Sequence, residues 1–216
     1  MNRLALATRT LAVALLLGAC SPAGSDAAAE PAAAAAPAAA NRARATFAMG
    51  CFWCAEDAFE GVDGVLGVVS GYTGGPEKNP TYEQVSAHRT GHYEAIQVVY
   101  DPRKVTYEQL LDVFWHNVDP LDGGGQFCDR GEQYRAAVFV HDAEQRRLAE
   151  ASLQQTARTL GKRVAVGIVP ASAFWNAEDY HQDYARKNPL RYRLYTSGCG
   201  RYDRLEEVWG DAAGGH

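Results

Sequence analysis

The sequence lacks a surplus of positive charge. Its 216 residues carry 21 Lys and Arg against 26 Asp and Glu, a formal net charge of −5. A nucleic-acid partner calls for a basic patch, so there is no electrostatic case for one. The apolar run Leu11–Leu17 is too short to cross a bilayer of about 30 Å. No internal repeat is visible, and Gly123-Gly124-Gly125 lacks the lysine and helix context of a phosphate-binding loop. With 47% hydrophobic and 22% charged residues, the chain is neither collagen-like nor wholly disordered nor a disulfide knot. An even cysteine count is missing too. Five cysteines cannot all pair within one chain, so each needs its own explanation.

The N-terminus accounts for one of them. Arg3 and Arg9 precede the apolar run, and small residues follow it, the pattern of a secretory signal peptide over residues 1–19. Leu17-Gly18-Ala19-Cys20 resembles the lipobox of bacterial lipoproteins. That resemblance implies a lipidated Cys20 and a periplasm-facing lipoprotein of the bacterial cell envelope. Ser21 after it points to the outer membrane. Residues 20–43 form an Ala/Pro-rich tether, in which Pro22, Pro31 and Pro37 break the helix that alanine favours. Residues 44–210 then make one domain, followed by a short tail, 211–216.

Within the domain, β-branched and alternating runs predict strands over Ala45–Met49, Val65–Ser70, Tyr93–Tyr100, Tyr134–Val140 and Val164–Val169. Helical spacing predicts Phe52–Phe59, Tyr107–Asn117 with Leu110, Leu111, Phe114 and Trp115 inward, and Asp142–Leu160, capped by Asp142 and stopped at Gly161. A short helix is expected over Glu178–Arg186. The tail from Asn188 reads as irregular, with a turn at Leu205–Val208. This order predicts an α+β fold, helices packed on a mixed or antiparallel sheet.

Gly50-Cys51-Phe52-Trp53-Cys54 is the sharpest chemical feature. Cys51 stands where a strand ends and a helix begins. Unpaired N–H groups and the helix dipole favour an anion there, so its thiol is expected to lose its proton easily. Phe52 and Trp53 suit an apolar pocket. Two other readings compete. The pair Cys51 and Cys54 could serve a thiol–disulfide oxidoreductase, although no proline stands between them. It could also be half of a zinc site, but Cys128, Cys199, His88 and His92 do not supply a closely spaced second half.

Gly50-Cys51-Phe52-Trp53 resembles the signature of the A-type peptide-methionine (S)-S-oxide reductases. Ser70-Gly71-Tyr72-Thr73-Gly74-Gly75, Asn79-Pro80-Thr81-Tyr82, Thr90-Gly91-His92-Tyr93-Glu94-Ala95, Tyr100-Asp101-Pro102, Asp129-Arg130-Gly131 with Gln133-Tyr134-Arg135, and Glu178-Asp179-Tyr180-His181-Gln182 resemble family segments in the expected order. The resemblance runs from about residue 45 to 208. It implies a two-layer fold with a ferredoxin-like core and an enzyme reducing the S epimer of methionine sulfoxide, free or in proteins. Cys51 would be the nucleophile and Glu94 the proton donor. Tyr82 and Tyr134 would donate to the sulfoxide oxygen, Asp129 would be a further polar group, and Phe52 and Trp53 would hold the substrate methyl. His181, His88 and His92 read as supporting contacts.

The chemistry agrees with these roles. Sulfoxide sulfur is electrophilic, and its reduction needs a soft nucleophile and a proton for the departing oxygen. Cys51 would then be a sulfenic acid, which a second thiol converts to a disulfide. The family often places this resolving cysteine in the C-terminal tail, here Cys199 between glycines. Cys54, one helical turn from Cys51, is the alternative, and Cys128 beside Asp129 a third. The cycle requires no bound cofactor or metal. It needs an external dithiol reductant such as a thioredoxin-like protein, and the unit is expected to be a monomer.

Overall fold

The computed structural model describes residues 41–214. The signal segment, Cys20 and the tether up to residue 40 lie outside the described residues. In chain order the elements are β1 (Ala43–Met49), α1 (Phe52–Glu60), β2 (Val65–Thr73), α2 (Tyr82–Ser86), β3 (Tyr93–Tyr100) and α3 (Tyr107–His116). A small hairpin follows, β4 (Gly125–Gln126) and β5 (Asp129–Arg130). Then come β6 (Ala136–Val140), α4 (Ala143–Leu160), β7 (Gly167–Pro170), β8 (Trp175–Asn176), α5 (Tyr184–Lys187), α6 (Pro189–Gly198) and α7 (Arg201–Trp209).

Six strands form one mixed sheet in the order β7-β6-β1-β3-β2-β8. β1 lies antiparallel to both β3 and β6, β2 is antiparallel to β3 and β8, and β7 runs parallel to β6. β1 is buried from Ala45 to Met49, Thr46 included, as expected of a central strand covered on both faces rather than a half-solvated one. On one face Phe47 stacks on Phe59 of α1 at 5.1 Å and on Phe114 of α3 at 5.4 Å. Each such ring, fully removed from water, contributes about 1.5–3 kcal/mol. On the other face Ala48, Ala95, Ala137 and Phe139 form a smaller cluster with Ala171 and Phe174 packed on it.

Local chemistry sets the helix starts. Thr81 with Gln84 and Thr106 with Gln109 form capping boxes, and Asp142 Oδ1 accepts from the Gln145 amide. Gly161 ends α4 in the left-handed conformation, as its place after Leu160 predicts.

Several expectations need correction. Tyr134 lies in a 3₁₀ turn, Glu132–Tyr134, and the strand starts only at Ala136. The strand expected over Val164–Val169 is shorter and pairs from Gly167. Glu178–Arg186 is not one helix; a 3₁₀ turn, Asp179–His181, gives way to Asp183 at φ 55° before α5 starts. The tail is not irregular. Pro189 opens α6 at its first turn, where its missing N–H costs nothing, and Gly200, at φ 61°, turns the chain into α7. The polar, weakly periodic sequence of α6 hides this helix, because it buries little more than Thr196.

Candidate active site

β1 is followed by Gly50, whose φ is +82° and whose Cβ, were there one, would stand 2.6 Å from Gln126 Cβ. Only glycine permits both the turn and this approach. The turn places Cys51 as the N-cap of α1, its carbonyl accepting from the Cys54 and Ala55 amides at 3.2 and 3.3 Å. No side chain of α1 caps the helix. A carboxyl from the neighbouring strand does so instead: Phe52 N–H donates to Glu94 Oε2 at 3.1 Å. Glu94 comes from β3, paired opposite Tyr72 of β2, and is 2% exposed. Burial pushes its pKa up to about 8 against the pull of the Phe52 amide, and the nearby Asp129 and Cys54 add to the rise. The nearby Tyr134 hydroxyl works against the rise. Glu94 is therefore a carboxylic acid, not a carboxylate, at neutral pH.

Cys51 itself is 7% exposed. Burial raises its thiol well above the ordinary value, and Cys54, Glu94 and Asp129 reinforce the effect. The easy deprotonation expected from the helix start is thus corrected: with Glu94 on the free amide of Phe52, desolvation outweighs the dipole. Cys54, 3% exposed, moves the other way, to about 7, through its contact with Cys51 and with help from Arg201. Both thiols are free. Cys128 and Cys199 form a disulfide across 71 residues, so Cys199 is tied to the Asp129 hairpin rather than carried on a loose tail.

Aromatic rings surround this centre. Phe52 lies 5.9 Å from Tyr72 and 4.8 Å from His181, and Tyr82 packs 4.4 Å from His181. Trp53 stacks on Tyr184 at 3.7 Å, meets Tyr195 edge-on, and donates its indole N–H to His181 Nδ1 at 3.0 Å. Burial lowers the pKa of His181, in keeping with a neutral acceptor. Burial and the charges of Glu94, Cys51 and Asp129 raise Tyr82 to about 12, and Tyr134 rises in the same surroundings. Both phenols stay protonated as donors. Asp129 Oδ2 accepts from the Tyr195 hydroxyl.

The structure thus gathers Cys51, Phe52, Trp53, Tyr82, Glu94, Asp129 and Tyr134 around one centre. The sequence did not single out three contributors. Glu178 accepts from the Tyr72 hydroxyl and from the Tyr82 amide, both at 2.9 Å, and so fixes where Tyr82 stands. Its segment was marked by resemblance, but nothing in spacing gave it a role. Tyr195 and Arg201 were lost with the unread tail. Among the described residues, no group of three His, Cys, Asp or Glu side chains could hold a metal ion.

A buried thiol at a helix start, facing a protonated carboxylic acid inside an aromatic box, on an α+β scaffold, defines a cysteine-dependent oxidoreductase for a small, partly apolar group. Comparison with known proteins narrows the class. The family model for peptide methionine sulfoxide reductase matches residues 43–213. The chain is 54% identical over 167 residues to peptide methionine sulfoxide reductase MsrA 2 of Caulobacter vibrioides, covering 77% of this chain and 85% of that one. It is 48% identical over 171 residues to MsrA of Bacillus licheniformis, covering 78% and 94%. Among solved structures, the methionine sulfoxide reductase A of Corynebacterium diphtheriae superimposes with a TM-score of 0.63 at 33% identity, covering 69% of this chain and 76% of that one. The reduced form of Mxr1 from Saccharomyces cerevisiae gives 0.67 at 31%, covering 70% and 88%.

The chain belongs to the peptide methionine sulfoxide reductase family. It is a peptide-methionine (S)-S-oxide reductase of the A type.

Proposed function

We propose that Cys51 attacks the sulfoxide sulfur while Glu94 delivers the proton that the departing oxygen needs. The observation that carries this reading is the hydrogen bond from the Phe52 amide to Glu94 Oε2. It holds a protonated acid at the same helix terminus that presents the nucleophile. Tyr82 and Tyr134 donate to the sulfoxide oxygen as charge grows on it. Phe52 and Trp53 receive the substrate methyl, and Asp129 provides a further polar contact. The proton count closes within the site. A thiol and a sulfoxide give a sulfenic acid and a thioether, with Glu94 lending a proton to oxygen and regaining one from the Cys51 thiol.

In the second half-reaction the Cys54 sulfur attacks the sulfenic sulfur of Cys51, an S–S bond forms, and water leaves. Cys54 is the free thiol beside Cys51, whereas Cys199 is already bonded to Cys128; this favours Cys54 over the tail cysteine. An external dithiol protein of the thioredoxin class then reduces the Cys51–Cys54 disulfide. The substrates are oxidised proteins and free methionine sulfoxide. Strands β6-β1-β3-β2, with α1 and α3 as crossovers, support a two-layer, ferredoxin-like reading of the core. The leader sequence supports an enzyme tethered through Cys20 to the bacterial envelope, repairing exported proteins as a monomer.

A peptide carrying both sulfoxide epimers tests the reading. Wild-type enzyme with a dithiol should consume the S epimer alone. Cys51→Ser should consume neither, and Glu94→Gln should be slower by roughly a hundredfold or more. Near-normal turnover by Glu94→Gln would remove Glu94 from the role of acid. Disulfide mapping after one turnover should find Cys51 joined to Cys54; a Cys51–Cys199 bond would restore the tail cysteine as resolver.

A further inference from the structure

His181 is 2% exposed, yet no step described above uses it. An indole N–H can only donate. The Nδ1 that receives the Trp53 N–H at 3.0 Å therefore carries no proton, and the proton of the neutral ring sits on Nε2. Among the described residues that Nε2–H makes no hydrogen bond; Glu178 Oε2 stands 4.0 Å away. A buried N–H left unpaired is costly, and a hydrocarbon side chain would fill the same space without that cost. What the imidazole adds is one acceptor, aimed at Trp53. The acceptor is held still. The His181 amide closes its turn on the Glu178 carbonyl at 2.9 Å. The next residue, Gln182, is fastened to β2: its Oε1 accepts from the Ser70 amide and its Nε2 donates to the Ser70 carbonyl, both at 2.9 Å. Trp53, by contrast, is only partly buried and lies flat on Tyr184, with 5° between the ring planes. Stacking tolerates sliding within the plane, whereas a hydrogen bond is directional. The bond to His181 supplies the constraint that the stack leaves open.

We infer that His181 is a positioning residue that sets substrate specificity: by anchoring the indole edge of Trp53 to the sheet, it keeps the pocket beside Cys51 small enough for a sulfur-bound methyl and closes it to larger alkyl groups. The inference rests on the reading of Phe52 and Trp53 as the wall that receives the substrate methyl. Without the anchor the indole can slide along Tyr184 and make room for a further carbon. His181 acts through Trp53 and not on the reacting atoms. Its ring also packs 4.8 Å from Phe52, so the same residue backs both parts of the wall.

The test compares two peptides of one sequence, one carrying the S-epimer sulfoxide of methionine and the other that of its ethyl homologue, ethionine. kcat/KM is measured for each with a dithiol as reductant. The ratio of the two values does not depend on how much of the enzyme is active, so partial misfolding cannot move it. One extra methylene in an apolar pocket is worth roughly 10–200-fold, and the wild-type ratio should fall in that range. His181→Leu, which keeps the bulk and loses the acceptor, should lower the ratio about fivefold or more. His181→Asn, whose Oδ1 can stand near the Nδ1 position, should restore most of it. Trp53→Phe removes the donor and should lower the ratio too. Adding His181→Leu to Trp53→Phe should then change little, because both remove the same bond. A wild-type ratio near one, an unchanged ratio in His181→Leu, or effects that simply multiply in the double variant overturn the inference. Should His181→Leu fail to fold, His181→Gln decides: its amide reaches the Nε2 position and not Nδ1, so it should lower the ratio as leucine does, and an unchanged ratio overturns the inference. In nitrogen NMR of the wild-type protein His181 Nδ1 should be unprotonated; a protonated Nδ1 overturns the inference as well. Failure of the underlying reading looks different: Trp53→Phe would itself leave the ratio unchanged.

Discussion

Glu94 shows how one side chain acquires a function from its surroundings. An exposed glutamate is an anion at neutral pH and useless as an acid. Buried against α1, Glu94 keeps its proton to about pH 8. The first half-reaction should therefore be flat below that value and fall about tenfold per pH unit above it. Single-turnover methionine formation against pH measures this limb. An alkaline limb that persists in Glu94→Gln would assign it to another group. No residue pattern warned of the shift. An alternating strand shows which face Glu94 occupies, not that the start of α1 will cover it. Its role was visible only through resemblance, as were those of Tyr82 and Tyr134, two of 11 tyrosines. For Cys51 the helix-start argument left out burial, which raises the thiol, with Cys54 and Glu94 adding to the rise.

At the scale of elements, α1 carries a second buried carboxyl. Glu56 is 2% exposed, and its Oε2 has no hydrogen-bond partner. Burial lifts its pKa to about 7, against the amides of Asp183 and Tyr184. Between the ordinary value near 4.5 and about 7, the folded state keeps a proton that the unfolded chain has lost. Its contribution to stability is thus fully present below the unfolded value and is lost as pH rises through the folded one. Glu56→Gln should flatten the fall in urea midpoint between pH 5 and 7.5, leaving the variant more stable than wild type at the upper end. Unchanged curves would mean that Glu56 is ionised in the folded protein. Helices with strong apolar stripes, such as α3, were legible from spacing, and so were caps at Asp142 and Gly161. Helix α6 was not, since much of it faces solvent: Leu190 and Leu194 are exposed. A 3.6-residue period is written only where a helix has a buried side to write it.

Across the whole molecule, the Cys128–Cys199 bond joins the β4–β5 hairpin to the α6–α7 corner, closing a loop of 71 residues. Loop-closure entropy puts its contribution at up to about 4 kcal/mol. Cys128→Ser/Cys199→Ser should lower the urea midpoint by a matching amount and still release one methionine per chain in the first turnover. A loss of that burst would give the pair a direct catalytic part. From the sequence Cys128 and Cys199 stood only as candidate partners of Cys51, not of each other. Their bond was not legible there, because only the fold of α6 and α7 brings residue 199 to the hairpin.

The amide of Phe52 also bears on mutational robustness. The acid is anchored to a main-chain donor, not to a side chain. Almost any residue at position 52 would offer the same N–H, and proline alone would remove it. Substitution at Phe52 would reshape the proposed methyl pocket, and so alter which thioethers fit, while leaving the anchor of the acid intact. Specificity and proton delivery share a residue number but not a chemical group, so one can drift without disabling the other.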